Sequence, residues 1–465
     1  MKRLAEFIIR SRKGIIGLVV LITLILGYFI KDLKVNPDVL GYLPENDRAA
    51  ILFREVGEQY GGNDLVIVGL EGRDVFTYEM LDLVRQVTDS MRTIAGISYV
   101  TSLTNVIDIK STEYGIEIGR LVDEFEIPQN ADELERIRAY AMSKDLYKGN
   151  LVSADCTSTL VMGKVMTGAD RTKAVEAIQQ KLEGIPFGGR FYYGGMPVTL
   201  LELSNVIIRD VKFIAPVAFL LICLVLYLGF LNKRGVILPM ISVIIAIIWT
   251  MGLVSLLGYE LTIITNVIPV ILMAVGSAYA IHVVNRFQEE VKDDSREALK
   301  RALSFVIIPV FLASLTTVFG FISFIAGSYL TMIREFGIFS ALGVLFSLLL
   351  AVFFVPALLA VLQGKDAEKT KNKTAPAFLR TLTLGIERWA LNHHRQVLWV
   401  WGLLILLSLL GITRIERRVD LVDYFRENNI VQQSEKLLKE KFNGSVPLYV
   451  NIKGDIQSPE GLKLM

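Results

Sequence analysis

Two cysteines and three histidines are all that 465 residues supply of those two types. Cys156 and Cys223 are too few for a disulfide framework or a zinc site, and the histidine count disfavours a multi-histidine metal centre. Neither sign of charge dominates. The 49 Lys and Arg against 47 Asp and Glu leave a net charge of +2, too balanced for a nucleic-acid-binding surface. No metal, cofactor or nucleic acid is therefore expected. What the chain has instead is apolar mass, 52% hydrophobic residues with 21% still charged. Soluble proteins are rarely so apolar and wholly embedded ones carry fewer charges. The composition predicts a membrane protein with at least one sizeable water-exposed domain.

Charge-free runs locate the membrane spans, because crossing needs about 17–25 apolar residues. Residues 14–30 run uncharged between Lys13 and Lys31, and residues 213–232 between Lys212 and Lys233. From Gly235 to Asn285 the only formal charge is Glu260, beside the turn-like Gly258-Tyr259 that divides two spans. From Ala302 to Gly364 only Arg334 and Glu335 interrupt two more, and residues 396–413 supply the last. Seven transmembrane helices follow. No small-residue cleavage site trails the first run, so it reads as a retained span rather than a signal peptide. Basic residues crowd the N-terminus (Arg10, Arg12, Lys13) and the loops after spans two, four and six, including Lys233, Arg286 and Lys365. That bias predicts a multi-pass protein of the cell (inner) membrane with a cytoplasmic N-terminus. The domains are then 1–31, cytoplasmic start and first span; 32–211, extracytoplasmic; and 212–364, five spans. A cytoplasmic linker (365–395), the seventh span (396–413) and the start of a second extracytoplasmic domain (414–465) complete the chain.

Residues 32–211 alternate strand and helix patterns. Leu65–Leu70, Ile97–Leu103, Leu160–Val165 and Arg190–Tyr193 read as strands, and Tyr78–Met91 and Arg171–Leu182 as helices. A charged helical insertion is expected over Asn130–Lys148. Two β-α-β units predict an α+β, ferredoxin-like fold. The domain has no histidine and no nucleophile–base constellation, so a binding or conduit role is expected and not an enzyme. A gapless internal match follows. Asp38, Tyr42, Glu45 and Asn46 correspond to Asp420, Tyr424, Glu427 and Asn428, and Lys13 falls on Arg395. Gly62, Val68 and Gly72 likewise meet Gly444, Val450 and Gly454. Six crossings between the copies make the repeat parallel. Because the second copy stops one strand into its outer domain, the expectation is a fragment of a protein about twice one repeat long; a natural seven-span chain is the alternative.

The polar groups of span four are Asn266, Ser277, Tyr279, His282 and Asn285, with Pro269 expected to kink the helix. Ala278 and His282, at i and i+4, share a face. An ionisable residue within a span is a functional candidate by default, and histidine exchanges protons near neutral pH. The alternative is that His282, a turn from Arg286, hydrogen-bonds at the cytoplasmic interface. Ser314, Thr316 and Thr317 of span five either support such a relay or bond back to their own helix. The charged segment from Arg286 onward is expected to lie along the cytoplasmic surface.

The "YLPEN" turn at Tyr42–Asn46, "GSAYAIH" at Gly276–His282, "SLTTVFGF" at Ser314–Phe321 and "IREFGIFSALG" at Ile333–Gly343 occur in an order that resembles one family. It is the resistance-nodulation-division (RND) superfamily, specifically its MMPL-type exporters with a sterol-sensing-domain-like bundle. The resemblance implies proton-motive-force-driven export of hydrophobic or lipidic substrates, with membrane lipids and an amphiphilic small molecule as partners, and it admits a homo-oligomer. It also implies an aspartate before the span-four tyrosine as proton carrier; here that position is Ala278. His282 and Tyr279 are then the relay candidates, with Ser277, Ser314, Thr316 and Thr317 as support. The missing aspartate is also what favours the alternative, a non-transporting lipid- or sterol-like-ligand-binding or regulatory protein.

Overall fold

In the computed structural model the described residues are 2–38, 40–44, 46–112, 115–123, 125–230, 232–291, 295–362, 377–415 and 420–445. They form two compact units, residues 1–44 with 204–417, and residues 45–203 with 418–465. The chain opens with α1 (Lys2–Arg10) and α2 (Arg12–Phe29), then α3 (Arg48–Tyr60), β1 (Asp64–Glu71), α4 (Tyr78–Arg92) and β2 (Ile97–Thr101). A hairpin of β3 (Ile107–Thr112) and β4 (Gly115–Arg120) precedes α5 (Ala131–Met142), β5 (Ser158–Val165), α6 (Arg171–Glu183) and β6 (Arg190–Gly194). Long helices follow: α7 (Met196–Phe230), α8 (Lys233–Leu256), α9 (Ile268–Glu290), α10 (Ser295–Gly327) and α11 (Thr331–Leu349). The chain continues with α12 (Val355–Leu362), α13 (Ala377–Asn392), α14 (His394–Ile412) and α15 (Ile430–Lys441).

Among the described residues seven helical segments are long and apolar enough to cross a membrane, which makes the chain a polytopic membrane protein. They are not equivalent. Of the most apolar 18 residues within Thr331–Leu362, 67% are buried, whereas none of those within His394–Ile412 are, so α11 is central and α14 peripheral. Where central helices meet, small residues let backbones approach, the packing mode available where lipid competes equally for apolar side chains. A Cβ on Gly252 of α8 would lie 2.2 Å from the Leu26 carbonyl oxygen of α2, and one on Gly276 of α9 would lie 2.6 Å from Ser347 Oγ of α11. Hydrogen bonds add to the α2–α8 contact: Trp249 Nε1 donates to Thr23 Oγ1 at 2.9 Å and Ser255 Oγ to the Phe29 carbonyl at 2.7 Å.

Two prolines behave as their local chemistry dictates. Pro269 does not kink the fourth span; it occupies the first turn of α9, where a missing N–H costs nothing, after a 3-10 turn at Thr265–Val267. Pro356 follows one turn of π-helix, Leu350–Phe354. That widened turn removes the clash a proline ring makes with the carbonyl four residues back. Of the charged segment from Arg286 onward, the described residues form the end of α9 and the start of α10, where Glu290 joins Arg286 Nη2 at 2.7 Å and Arg301 Nε at 3.0 Å.

The "YLPEN" turn is an anchor. Val35 bridges Leu261, Asn36 N–H donates to the Leu261 carbonyl at 2.8 Å, and Thr331 Oγ1 at the head of α11 donates to the Tyr42 carbonyl at 2.9 Å. Tyr42 donates its own hydroxyl to the Asn36 carbonyl at 2.9 Å, and burial pushes its pKa up to about 12.

In the second unit β1, β2, β5 and β6 make an antiparallel sheet in the order β2-β5-β1-β6. β1 is buried on both sides. Val66, Val68 and Leu70 form one row, while Ile67 and Gly69 face α15, whose Leu437, Leu438 and Phe442 pack on Ile67 and Leu160. Glycine makes that seat: a Cβ on Gly69 or Gly194 would meet Leu437 or Leu438 at 3.0 or 3.1 Å. The helix that caps the sheet therefore comes from the second repeat. Both repeats share local structure, with side-chain N-caps at Asp47 and Asn429 and left-handed glycines at Gly62 (φ 127°) and Gly444 (φ 125°). They differ in burial, since Tyr42 is 3% exposed and Tyr424 59%. The expected strand after Ser445, with Val450 and Gly454, and linker residues 363–376 lie outside the described residues.

Candidate functional site

The sequence candidates converge on α9, which carries two kinds of face. One is packed: Leu272, Gly276, Ser277, Tyr279, Ala280 and Val283 are buried among α8, α10 and α11. Hydroxyls line this seam, with Thr250 on α8 and Ser340 and Ser347 on α11 all buried. Most are satisfied within their own helix, Thr250 Oγ1 by the Ala246 carbonyl and Ser347 Oγ by the Gly343 carbonyl. The other face is open. Ala274, His282 and Asn285 are exposed and Ala278 is half-buried.

The predicted residues therefore separate. Ala278 and His282 do share a face, and His282 has no hydrogen bond among the described residues. Arg286 turns instead to Glu289 and Glu290. Tyr279 points into the seam. Its buried hydroxyl has no hydrogen-bond partner among the described residues, and the Thr317 hydroxyl beside it falls short of bonding geometry. Ser277 donates to the Ala274 carbonyl at 3.2 Å, Ser314 to the Phe311 carbonyl at 2.8 Å, and Thr316 and Thr317 both to the Ala313 carbonyl at 2.9 Å. These are local back-bonds that hold side chains in place, use each hydroxyl's one proton and leave its lone pairs free to accept. Tyr279 and Thr317 are thus brought together, and His282 is held apart from them.

Sequence reasoning missed the partners of this seam. Gly343 packs where a Cβ would meet Leu272 at 2.6 Å and Thr250 Oγ1 at 3.0 Å, and the π-turn sits one helical turn beyond Ser347. The small-xxx-small spacing of Gly343 and Ser347 was the available signal. A second polar constellation was also missed, on the four-stranded sheet. Lys441 Nζ of α15 lies 2.7 Å from Glu71 Oε1 and 3.4 Å from Asp155 Oδ2. Its hydrogen bond holds the Glu71 carboxyl below the usual carboxylate range, and Tyr192 donates to the other Glu71 oxygen at 2.8 Å. The described residues contain no cluster of histidine, cysteine and carboxylates able to hold a metal ion.

The sequence that builds these spans and this sheet has relatives. The model of the MMPL family matches residues 77–396, more than half of the chain. The chain belongs to the MMPL family. Within the wider RND superfamily, its relatives include the putative membrane protein MJ1562 of Methanocaldococcus jannaschii, 23% identical over 377 residues, covering 78% of this chain and 93% of that protein. Multidrug export protein AcrF of Escherichia coli is 27% identical over 45% of this MMPL chain but only 21% of its own length. The probable transport protein MmpL9 of Mycobacterium tuberculosis is 26% identical over 51% of this chain and 26% of its own. Against these two relatives the chain spans about a quarter of their length or less. The superfamily it joins is one of membrane transporters.

Proposed function

We propose that this MMPL chain works in a secondary active exporter of hydrophobic or lipidic substrates in the cell (inner) membrane, with its N-terminus cytoplasmic. The outer unit is its porter domain, ferredoxin-like in that two β-α-β units interleave as an antiparallel sheet in the order β2-β5-β1-β6. The observation that carries the reading is the open face of α9. Ala274, Ala278, His282 and Asn285 present small and polar groups on a membrane helix. Such a face is costly against lipid tails and favourable against another helix or a water-filled path, which is where transporters move protons and ions.

His282 is the proton-exchanging group on that face, and the buried Tyr279 hydroxyl with the half-buried Thr317 lies behind it. Ser277, Ser314 and Thr316 fix the local backbone. With alanine at position 278, coupling rests on His282 or on an acid supplied by the surface that α9 meets. The test is flux of a fluorescent amphiphile into proteoliposomes with and without an imposed pH gradient. Proton coupling predicts acceleration by the gradient and its loss in His282→Ala. Flux indifferent to the gradient refutes coupling, and gradient-driven flux that survives His282→Ala moves the role to another group.

A further inference from the structure

The helix α13 has α14 as its main neighbour and leaves its large apolar side chains uncovered. Leu382, Ile386 and Trp389 recur at helical spacing on one face and are 48%, 59% and 53% exposed. The ring of His393 stacks on Trp389 with centroids 5.9 Å apart, which carries that face to the end of the helix. Leu384 and Leu391, on the opposite side, are exposed as well.

Position determines what covers these side chains. α13 ends at Asn392 and α14 begins at His394, so a single residue joins it to a membrane-crossing helix. α14 opens on His394, Arg395 and Gln396 and turns apolar from Val397, which sets the bilayer boundary at the joint. α13 is held at that boundary, where tryptophan and arginine side chains serve as anchors.

The internal repeat separates lipid from a protein partner. At the offset of 382 residues α1 is the counterpart of the second half of α13. α1 packs on α10 and α12, with Ala5 and Ile8 fully buried and Glu6 pairing with Lys300 at 3.2 Å. The matching residues of α13 are Glu387, Ala390 and Arg388. A seat shaped for alanine, isoleucine and an acid does not fit a glutamate, an alanine and a base. What the two helices share is an outward aromatic, Phe7 at 56% exposure against Trp389.

Charge selects the headgroup. Residues 363–395 carry seven Lys and Arg against three Asp and Glu, and Arg388 and Arg395 are exposed on either side of the joint. A basic segment with an apolar helical face binds anionic bilayers, its long side chains reaching to the phosphates. We propose that α13 docks on the bilayer beside α14 and distinguishes anionic from zwitterionic lipid. Ile386 and Trp389 enter the acyl boundary, and Arg388 and Arg395 meet the headgroups. The docking stands apart from the export reading and needs no step of transport.

The experiment is hydrogen exchange of the full chain in nanodiscs of phosphatidylcholine, alone or mixed with phosphatidylglycerol. Exchange over residues 381–392 is expected to be at least about tenfold slower in the anionic discs, and the difference to shrink in high salt. Each arginine near the surface contributes roughly fivefold, so Arg388→Gln/Arg395→Gln should remove most of the difference. Arg388→Lys/Arg395→Lys should retain it, and Trp389→Ser should speed exchange in both lipids. Unchanged exchange over α8 to α11 reports an intact membrane unit in each variant. Equal exchange in the two lipids, or a difference that survives the glutamine pair, overturns the assignment. Protection in both lipids that rises with the number of chains per disc also overturns it and gives the face to a second copy.

Discussion

Replacing Gly252 with alanine tests the packing of the membrane unit at its tightest point. A Cβ there would lie 2.2 Å from the Leu26 carbonyl oxygen, 2.7 Å from its carbon and 2.8 Å from Leu26 Cβ. Two of those atoms are backbone, so no rotamer change relieves the clash. Reaching ordinary contact requires α2 and α8 to separate by on the order of 1 Å. That shift stretches Trp249–Thr23 and Ser255–Phe29, bonds of 2.9 and 2.7 Å, past useful length. Overpacking costs about 1–3 kcal/mol and each interhelical bond in a membrane about 0.6, giving a loss of roughly 2–4 kcal/mol. The assay is SDS-titration unfolding of purified protein, alongside Gly17→Ala in α2, where an added Cβ meets nothing within 4 Å. Gly17→Ala should be neutral or gain up to about 1 kcal/mol from helix propensity. Equal behaviour of the two variants would refute the close α2–α8 approach.

Lys441→Met should release α15 from the sheet, weakening its attachment by about 1–2 kcal/mol, read as faster hydrogen exchange over residues 430–442. The same pair sets a pH dependence. Lys441 depresses the Glu71 pKa, so the pairing stabilises the folded unit above the ordinary carboxylate value of 4.5 and is lost as pH falls through the lowered value. Exchange over α15 should rise on acidification in wild type and be flatter in Lys441→Met. Gly62→Ala should cost about 1–3 kcal/mol or more, because the position holds φ 127° and a Cβ would lie 1.9 Å from the Val165 carbonyl oxygen. Gly168→Ala, at φ 83° with open space, should cost less; thermal unfolding of the two variants decides.

The spans were legible because hydrocarbon demands charge-free runs, and Lys31, Lys212 and Lys233 mark their ends. The strands of the four-stranded sheet and α4 and α6 were legible to within a few residues because their periodicities are local. The failures were matters of context. Pro269 carried the signal of a helix start, and the run of apolar residues around it hid that signal. The β3–β4 hairpin lies in a stretch whose alternation is mixed, with Ile109 opposite Ile118 and both exposed, so no core-facing pattern announced it. The seat of α15 depends on glycines at positions 69 and 194, contributed by residues more than two hundred positions away from the helix they receive. On α9 the i, i+4 spacing placed Ala278 and His282 on one face, but only the neighbouring helices determine that this face stays open and that Tyr279 turns inward.

Vectorial transport is tested by reconstituting the full chain into unilamellar vesicles with a fluorescent alkyl carboxylate on one side. Net movement across or out of the bilayer is expected to depend on an imposed pH gradient and to be slowed by His282→Ala. Saturable binding of the same probe with no net movement under any gradient would contradict it and leave a ligand-binding membrane protein in its place.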